Sequence, residues 1–150
     1  DFCLSRGLGD VYKRQLHVRA ERGGKPVVLI VTGGERNEQP VLPALLERGA
    51  VRRPGRGRPR LRPDRIAGDK GYSSGATRRY LRRRGIGAVI PRRSNEPQQR
   101  LFDKAAYRER NVVERLLNRL KQRRAVATRY DKLGVRYHAM VTLAAILLWL

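Results

Sequence analysis

Two short apolar runs near the amino end set the first expectation for the fold. Residues 16–21, LHVRAE, and 26–32, PVVLIVT, are rich in β-branched and apolar side chains. Arg22-Gly23-Gly24-Lys25 joins them, and a Gly-Gly pair between two such runs is typical of a tight antiparallel turn. The pattern therefore predicts a β-hairpin.

The remainder of the chain alternates between helical and strand-like patterns. The predicted elements are a helix at 39–49, a short buried strand at 65–69, a helix from Ser73 or Ser74 to about Arg84, a strand at 87–91, a helix at 104–124 and a helix at 135–150. This order predicts an α/β fold, a mixed sheet with helices on its faces. Ligands gather at the carboxyl ends of strands in such sheets, and Asp69 is placed at such an end.

The predicted helix at 104–124 has two distinct faces. The apolar positions Val113, Leu116, Leu117 and Leu120 recur at helical spacing and form a packing stripe. The polar positions Tyr107, Arg110, Glu114 and Lys121 form a second stripe. Two explanations are open: an ordinary amphipathic helix with an Arg110–Glu114 ion pair, or a helix that presents a carboxylate toward Asp69. For Tyr107, packing and contact with a nucleic acid are equally supported.

Charge points to the class of partner. The 150 residues contain 35 Lys and Arg against 13 Asp and Glu, a formal net charge of +22. Self-repulsion of this size disfavours a compact chain unless a polyanion neutralises it, and nucleic acid does so with release of counterions. A nucleotide cofactor is not predicted, because the glycine-containing segments lack the context of a phosphate-binding loop. Cys3, His17 and His138 are isolated in the sequence and receive no predicted role.

A basic linker at 52–63 contains Arg56-Gly57-Arg58-Pro59. This tetrapeptide is similar to the core of an AT-hook, in which arginines enter the narrow minor groove of A·T-rich DNA. The alternative is a flexible linker that contacts only phosphates. At the other end of the chain, the apolar run Ala139–Leu150 is shorter than the roughly 20 residues that span a bilayer. It predicts a buried helix and no membrane partner.

The spacing Tyr107-x2-Arg110-x3-Glu114-x6-Lys121 resembles the Y-R-E-K signature of one branch of DDE insertion-sequence transposases. Asp69-Lys70-Gly71-Tyr72 resembles the segment around the second acidic residue of that family. The similarity to the insertion-sequence-five group continues through RRYLRRRGI, AVIPRRSN, RLKQRRAVATRYDKL and AAILLWL. The resemblance covers residues 16–150.

The resemblance implies a ribonuclease-H-like domain in which three carboxylates hold two Mg²⁺ or Mn²⁺ ions. Asp69 and Glu114 match two of these catalytic metal ligands. Oxygen ligands suit Mg²⁺, and two such ions can clamp the attacking and leaving oxygens of a phosphodiester. The implied DNA-binding residues are Tyr107, Arg110 and Lys121, and Arg56 and Arg58 join them if the linker enters a groove. The implied partner is duplex DNA, as terminal inverted repeats and target, with a homodimer in the intact protein, in the bacterial cytoplasm at the nucleoid.

The amino-terminal residues 1–15, DFCLSRGLGDVYKRQ, do not resemble the family. Their tail, GDVYKRQ, looks like translated sequencing-adaptor read-through. We therefore expect residues 1–15 to be foreign or unstructured and residues 16–150 to be a partial catalytic domain that lacks its first strand and first catalytic Asp. Such a chain is predicted to be inactive in strand transfer. The alternatives are a basic nucleic-acid-binding module without chemistry and a gene fragment with no folded state.

Overall fold

The architecture was taken from a computed structural model of the chain. It describes residues 2–7, 15–33, 39–49, 55–58, 62–97, 102–128 and 133–150, and for 2–7 it describes the backbone alone. The predicted α/β architecture is confirmed at this level: the described residues form one mixed sheet with helices packed on both of its faces.

The sheet has five strands in the order β3-β2-β1-β4-β5. Their bounds are β1 at Phe2–Gly7, β2 at Gln15–Glu21, β3 at Pro26–Thr32, β4 at Arg65–Gly68 and β5 at Gly87–Val89. The first three strands are paired antiparallel, whereas β1, β4 and β5 run parallel to one another. The carboxyl ends of β1, β4 and β5 therefore lie at the same edge of the sheet.

The predicted hairpin is confirmed. Strands β2 and β3 pair antiparallel, and the amide of Gly24 donates to the carbonyl of Glu21 over 2.9 Å in the connecting turn. Gly24 adopts φ 83°, a conformation that costs glycine little because it has no Cβ. The Gly-Gly pair therefore predicted the turn for the right physical reason.

The prediction that the first strand is missing was wrong. Phe2–Gly7 forms β1 in the centre of the sheet, antiparallel to β2 and parallel to β4. The physical reason lies in β2, where residues 15–20 are all buried. A strand buried on both faces lies inside a sheet, and its backbone donors and acceptors need a neighbour on each side. The pairing does not test whether residues 1–15 are of foreign origin, which stays a prediction.

Six α-helices accompany the sheet in the described part of the chain. Their bounds are α1 at Leu42–Glu47, α2 at Gly75–Arg83, α3 at Lys104–Arg108, α4 at Asn111–Lys121, α5 at Arg124–Thr128 and α6 at Gly134–Ile146. One buried cluster joins α1 and α2 to the sheet, and the other joins α4, α5 and α6 to it. The predicted cap of α2 is confirmed, since the Ser74 hydroxyl accepts the amide of Thr77 over 3.1 Å.

The carboxyl-terminal helix was predicted to be buried, but only part of its apolar surface is. Tyr137, Val141, Ala144 and Ala145 of α6 are buried, but Val135 and Leu143 are 83% and 58% exposed. The Trp149 indole N–H donates to the carbonyl of Pro26 over 2.9 Å and ties the end of the chain to β3. Among the described residues, none of the helices combines the length and apolar character needed to cross a membrane.

Two buried polar side chains hold β2 against its surroundings. Arg19 is 0% exposed and donates from Nη1 to the carbonyls of Leu45, Leu46 and Arg48 at 3.0–3.2 Å, at the end of α1. His17, also 0% exposed, contacts the hydroxyls of Tyr72 and Thr32 through its two ring nitrogens. The histidine without a predicted role is thus part of a buried hydrogen-bond network.

Candidate functional site

Asp69 lies directly after β4, as predicted, where the chain leaves the sheet. Along β4 the burial alternates: Ile66 joins the cluster beneath α1 and α2, and Ala67 joins the cluster beneath α4 and α6. Gly68 lies against Ile90 of the first cluster. Since side chains alternate between the faces of a strand, Asp69 is placed on the α4 side. Its half-buried carboxylate accepts the amide of Lys70 and caps the short 3₁₀ turn at Lys70–Tyr72.

The helix that carries the predicted polar stripe is interrupted, and the prediction of one helix over 104–124 was wrong. α3 ends at Arg108 and α4 begins at Asn111, with Glu109 and Arg110 in a tightened turn. There the Val113 amide donates to the carbonyl of Arg110 over 3.0 Å, a 3₁₀-type bond. The backbone stays right-handed helical at both residues, which explains why the periodicity continues across the break.

The break leaves the apolar stripe in place. Val113, Leu116, Leu117 and Leu120 are all at most 6% exposed and form the packing face of α4. This face covers β1 and β2. Glu114, one residue beyond Val113, is consequently held at the margin of the packed face, with about half of its side chain exposed. The prediction that one face of this helix packs and another stays polar is confirmed.

Arg110 links the two predicted acidic residues electrostatically. Its Nη2 lies 2.5 Å from Oε1 of Glu114, and the arginine side chain is 17% exposed. Burial lowers the pKa of Arg110, but Tyr107, Glu114 and Asp69 together raise it above its ordinary value. Both carboxylates therefore act on the same guanidinium. The ion pair expected of an ordinary amphipathic helix is present, and Asp69 takes part in its electrostatics.

Tyr107 is a packing residue in this structure. Its ring centroid lies 5.4 Å from that of Phe102, and it packs against the cluster beneath α4. The guanidinium carbon of Arg110 lies 5.4 Å from the Tyr107 ring centroid, within the range of a cation–π contact. The packing of Tyr107 is therefore observed, and its contact with a nucleic acid stays a prediction.

The other predicted DNA-binding residues are exposed. Lys121 ends α4 and is about 10 Å along the helix axis from Glu114 at 1.5 Å per residue. Arg56 and Arg58 are exposed in the linker, and Gly57 between them adopts φ 156°. Pro59, the last residue of the AT-hook-like tetrapeptide, lies outside the described residues.

The carboxylates described in the structure do not complete a metal site. Within the described ranges, no group of three or more His, Cys, Asp or Glu side chains is arranged to hold a metal ion. The register of β1 against β4 pairs Cys3 with Ala67 and Leu4 with Gly68; extended by one residue, it sets Ser5 opposite Asp69. Asp1 and Asp10 lie outside the described residues.

A cavity beside Asp69 was not predicted from the sequence. It is lined by Lys70, Gly71, Arg93, Ser94 and Asn95. The signal was present, because Arg93 follows β5 and Lys70 follows β4, and the carboxyl ends of parallel neighbours meet at one sheet edge. From the sequence, AVIPRRSN predicted only similarity to the family, and the position of Arg93 beside the acidic residue was missed.

Comparison with known proteins places these residues in a family context. Residues 66–150, more than half of the chain, match the family model described as the transposase DDE domain. Over 80 residues, 53% of this chain, the sequence is 38% identical to a Burkholderia cepacia protein described as a transposase for insertion sequence element IS402. The aligned segment covers 38% of the length of that relative. Asp69, Arg110 and Glu114 all lie within the matched family region.

Proposed function

The chain belongs to the transposase DDE domain family, and we propose that it is the part of an insertion-sequence transposase that carries two of its acidic residues, Asp69 and Glu114. The intact protein would cut DNA at the terminal inverted repeats and join the ends to a target in the bacterial cytoplasm. The proposal includes a ribonuclease-H-like fold, which is supported by three antiparallel strands followed by two parallel ones in the order β3-β2-β1-β4-β5.

The observation that carries the proposal is the placement of Asp69 at the end of β4 and of Glu114 on α4, where Glu114 pairs with Arg110. Asp69 and Glu114 come from a strand end and from a helix on the other side of a long connection, yet both raise the pKa of Arg110. A carboxylate pair has the donor chemistry that Mg²⁺ or Mn²⁺ prefers. When bound, such ions supply activation of a nucleophilic oxygen and stabilisation of the leaving oxygen.

The described ligand set fits these ions only in part. Two carboxylates are available, and a group of three is not found among the described residues. Extending the register of β1 against β4 by one residue would set Ser5 beside Asp69. With two carboxylates as ligands, the positioning of the ions would depend on water. Small losses of positioning cost catalysis on the order of a hundredfold. We therefore propose that this chain binds DNA without cleaving or joining it.

The cleavage test uses the chain with Mg²⁺ or Mn²⁺ and a duplex that carries candidate terminal repeats. We expect no metal-dependent nicking from the chain as it stands. Nicking that disappears in Asp69→Asn, with unfolding temperature unchanged, would contradict the proposed inactivity while supporting the acidic site. Ser5→Asp offers a second reading: tighter binding of Mn²⁺ by this variant than by the parent chain, dependent on Asp69, is expected if the two positions are neighbours. Equal Mn²⁺ binding would count against that placement.

The binding test rests on the net charge of +22. The proposed contacts are Tyr107, Arg110, Lys121, Arg56 and Arg58 on duplex DNA. If about six phosphates are contacted, affinity should fall roughly a thousandfold between 50 and 200 mM salt. Titration of a labelled duplex at several salt concentrations measures this slope. A flat salt response would remove DNA as the proposed partner, whereas a steep one combined with no effect of Asp69→Asn on Mn²⁺ binding would favour a nucleic-acid-binding module without chemistry.

A further inference from the structure

The cavity beside Asp69 has the composition of an anion site. It measures about 570 Å³, and its lining contains the cations Lys70 and Arg93 together with the polar side chains of Ser94 and Asn95. None of the described residues that line it is a carboxylate. Guanidinium, ammonium, hydroxyl and amide groups are donors that suit the oxygens of a phosphodiester.

Arg93 is held in place by the backbone rather than by an acid. Its Nε donates to the carbonyl of Lys70 over 3.2 Å, and its Nη2 donates to the carbonyl of Gly71 over 2.8 Å. These two acceptors fix the plane of the guanidinium, and neither carries a negative charge that would neutralise it. A guanidinium has five N–H donors, so donors remain for a ligand after both carbonyl bonds are made.

The loop that carries Arg93 is fixed by Glu96. One oxygen of this carboxylate, Oε2, accepts the hydroxyl of Ser73 over 2.5 Å, the amide of Arg93 over 3.1 Å and Nη2 of Arg78 over 3.3 Å. The Glu96 side chain is 12% exposed. Glu96 thus pairs with Arg78 and fixes the backbone of the loop that carries Arg93.

We propose that this cavity, the phosphodiester pocket formed by Lys70, Gly71, Arg93, Ser94 and Asn95, holds a backbone phosphate of the DNA strand next to the one presented to Asp69. The inference rests on the proposed function, because it takes DNA as the ligand. Asp69 and Lys70 are consecutive, so a strand bound at the carboxylate runs past the pocket. The pocket supplies the positive charge that a phosphate needs beside the negative carboxylate.

The binding experiment compares charge removal inside and outside the pocket. Lys70→Gln, Arg93→Gln and the control Arg82→Gln each remove one positive charge; Arg82 is exposed on α2, about 10 Å of helix beyond Gly75. Each pocket variant is expected to weaken duplex binding roughly tenfold at low salt, since contacts to charged groups are the strong ones. Each should also lower the slope of log affinity against log salt by about 0.9. The control should change affinity about twofold or less, because distant charges are screened.

The outcomes separate the pocket from the proposed function. If the parent chain does not bind the duplex, DNA binding itself fails, and the pocket fails with it. If the parent chain binds and both pocket variants behave like Arg82→Gln, the pocket alone is overturned. Because the Arg93 side chain also bonds to the backbone, the unfolding temperature of Arg93→Gln is compared with that of Lys70→Gln. The exposed Lys70 side chain can be changed without loss of a described contact.

For a second variant, the pocket predicts a change in DNA affinity opposite to the one expected from net charge alone. Glu96→Gln removes a negative charge from a DNA-binding chain, and charge alone would strengthen binding. If Glu96 positions Arg93, the same variant should instead weaken binding roughly threefold to tenfold, toward the effect of losing one charged contact. Glu47→Gln, at an exposed residue paired with Arg84 over 2.7 Å, is the matched control and should bind as tightly as the parent or more tightly. Equal or tighter binding by Glu96→Gln would overturn the positioning role.

Discussion

Tyr72→Phe tests the hydroxyl of Tyr72, three residues after Asp69 in the chain. The Tyr72 hydroxyl lies 3.0 Å from Nδ1 of His17, and both side chains are 0% exposed. The substitution removes one oxygen and keeps the ring, so apolar burial and packing are preserved. The effect therefore comes from the loss of the buried hydroxyl and of its hydrogen bond with the His17 ring.

The expected cost follows from that burial. A buried polar group deprived of its partner costs about 1–3 kcal/mol, and in a domain of this size each kcal/mol lowers the unfolding temperature by roughly 2–4 °C. Tyr72→Phe should thus unfold roughly 2–12 °C below the parent chain. The matched control is Tyr80→Phe, which removes the same atom from an exposed contact with Arg84 at 3.1 Å. Exposed changes of this kind stay within about 0.5 kcal/mol.

The assay is thermal and urea unfolding followed by circular dichroism, completed by a double-mutant cycle with His17→Leu. Residues in direct contact give interaction energies of about 0.5–3 kcal/mol in such a cycle. The reasoning would be refuted if Tyr72→Phe matched Tyr80→Phe in stability and the cycle gave no interaction energy. Such a result would also remove the link between the buried network and the turn that Asp69 caps.

Two further stability predictions concern buried charges. Burial lowers the pKa of Arg19 to about 10, so Arg19 remains a cation at neutral pH. Arg19→Met should lower the free energy of unfolding in urea by about 3–5 kcal/mol, because it leaves carbonyls at the end of α1 without their donor. The control Arg79→Met, on an exposed helix face, should change it by no more than about 0.5 kcal/mol. Burial raises the pKa of Glu96, but its bonds from Ser73, Arg93 and Arg78 outweigh this and leave it below the ordinary 4.5. A depressed carboxyl pKa stabilises the fold above about pH 4.5, and this contribution is lost as pH falls through the folded value. The stability gap between the parent and Glu96→Gln should therefore shrink from pH 7 toward pH 3, and a gap that does not change with pH would contradict the assignment.

The sequence predicted the elements whose information is local. The Gly23-Gly24 turn, the Ser74 cap and the apolar stripe around Leu116 each depend on residues within a few positions of one another, and all three were predicted correctly. The strand at Phe2–Gly7 was not predicted, because its partners Glu21 and Ile66 are distant in sequence. The local sequence of the segment does not indicate this pairing. Long-range pairing depends on the hydrogen-bonded neighbours that β2 and β4 require, and these are defined only in the assembled sheet.

The same distinction applies to the candidate site. Periodicity placed Asp69 at a strand end and Glu114 on a helix face, whereas their role as metal ligands was implied by the family resemblance alone and stays a prediction. The turn at Glu109–Arg110 was missed since a 3₁₀ bond changes the helix without interrupting its right-handed backbone. The role of Arg93 was missed for another reason: its partners are the carbonyls of Lys70 and Gly71. Backbone acceptors carry no side-chain signal, so their use by a particular arginine cannot be predicted from residue types.

Arg110 offers a way for Asp69 and Glu114 to share one electrostatic environment before any ion is bound. Two carboxylates in one environment repel each other, and a shared cation offsets that repulsion. The pair with Glu114 is formed within one turn, and the carboxylate is about half exposed; exposed pairs contribute only about 0.2–1 kcal/mol. Displacing Arg110 from Glu114 is therefore a small obstacle to a divalent ion. The small number of available carboxylates is the larger obstacle to metal binding. We therefore expect Ser5→Asp to change metal binding more than any substitution of Arg110.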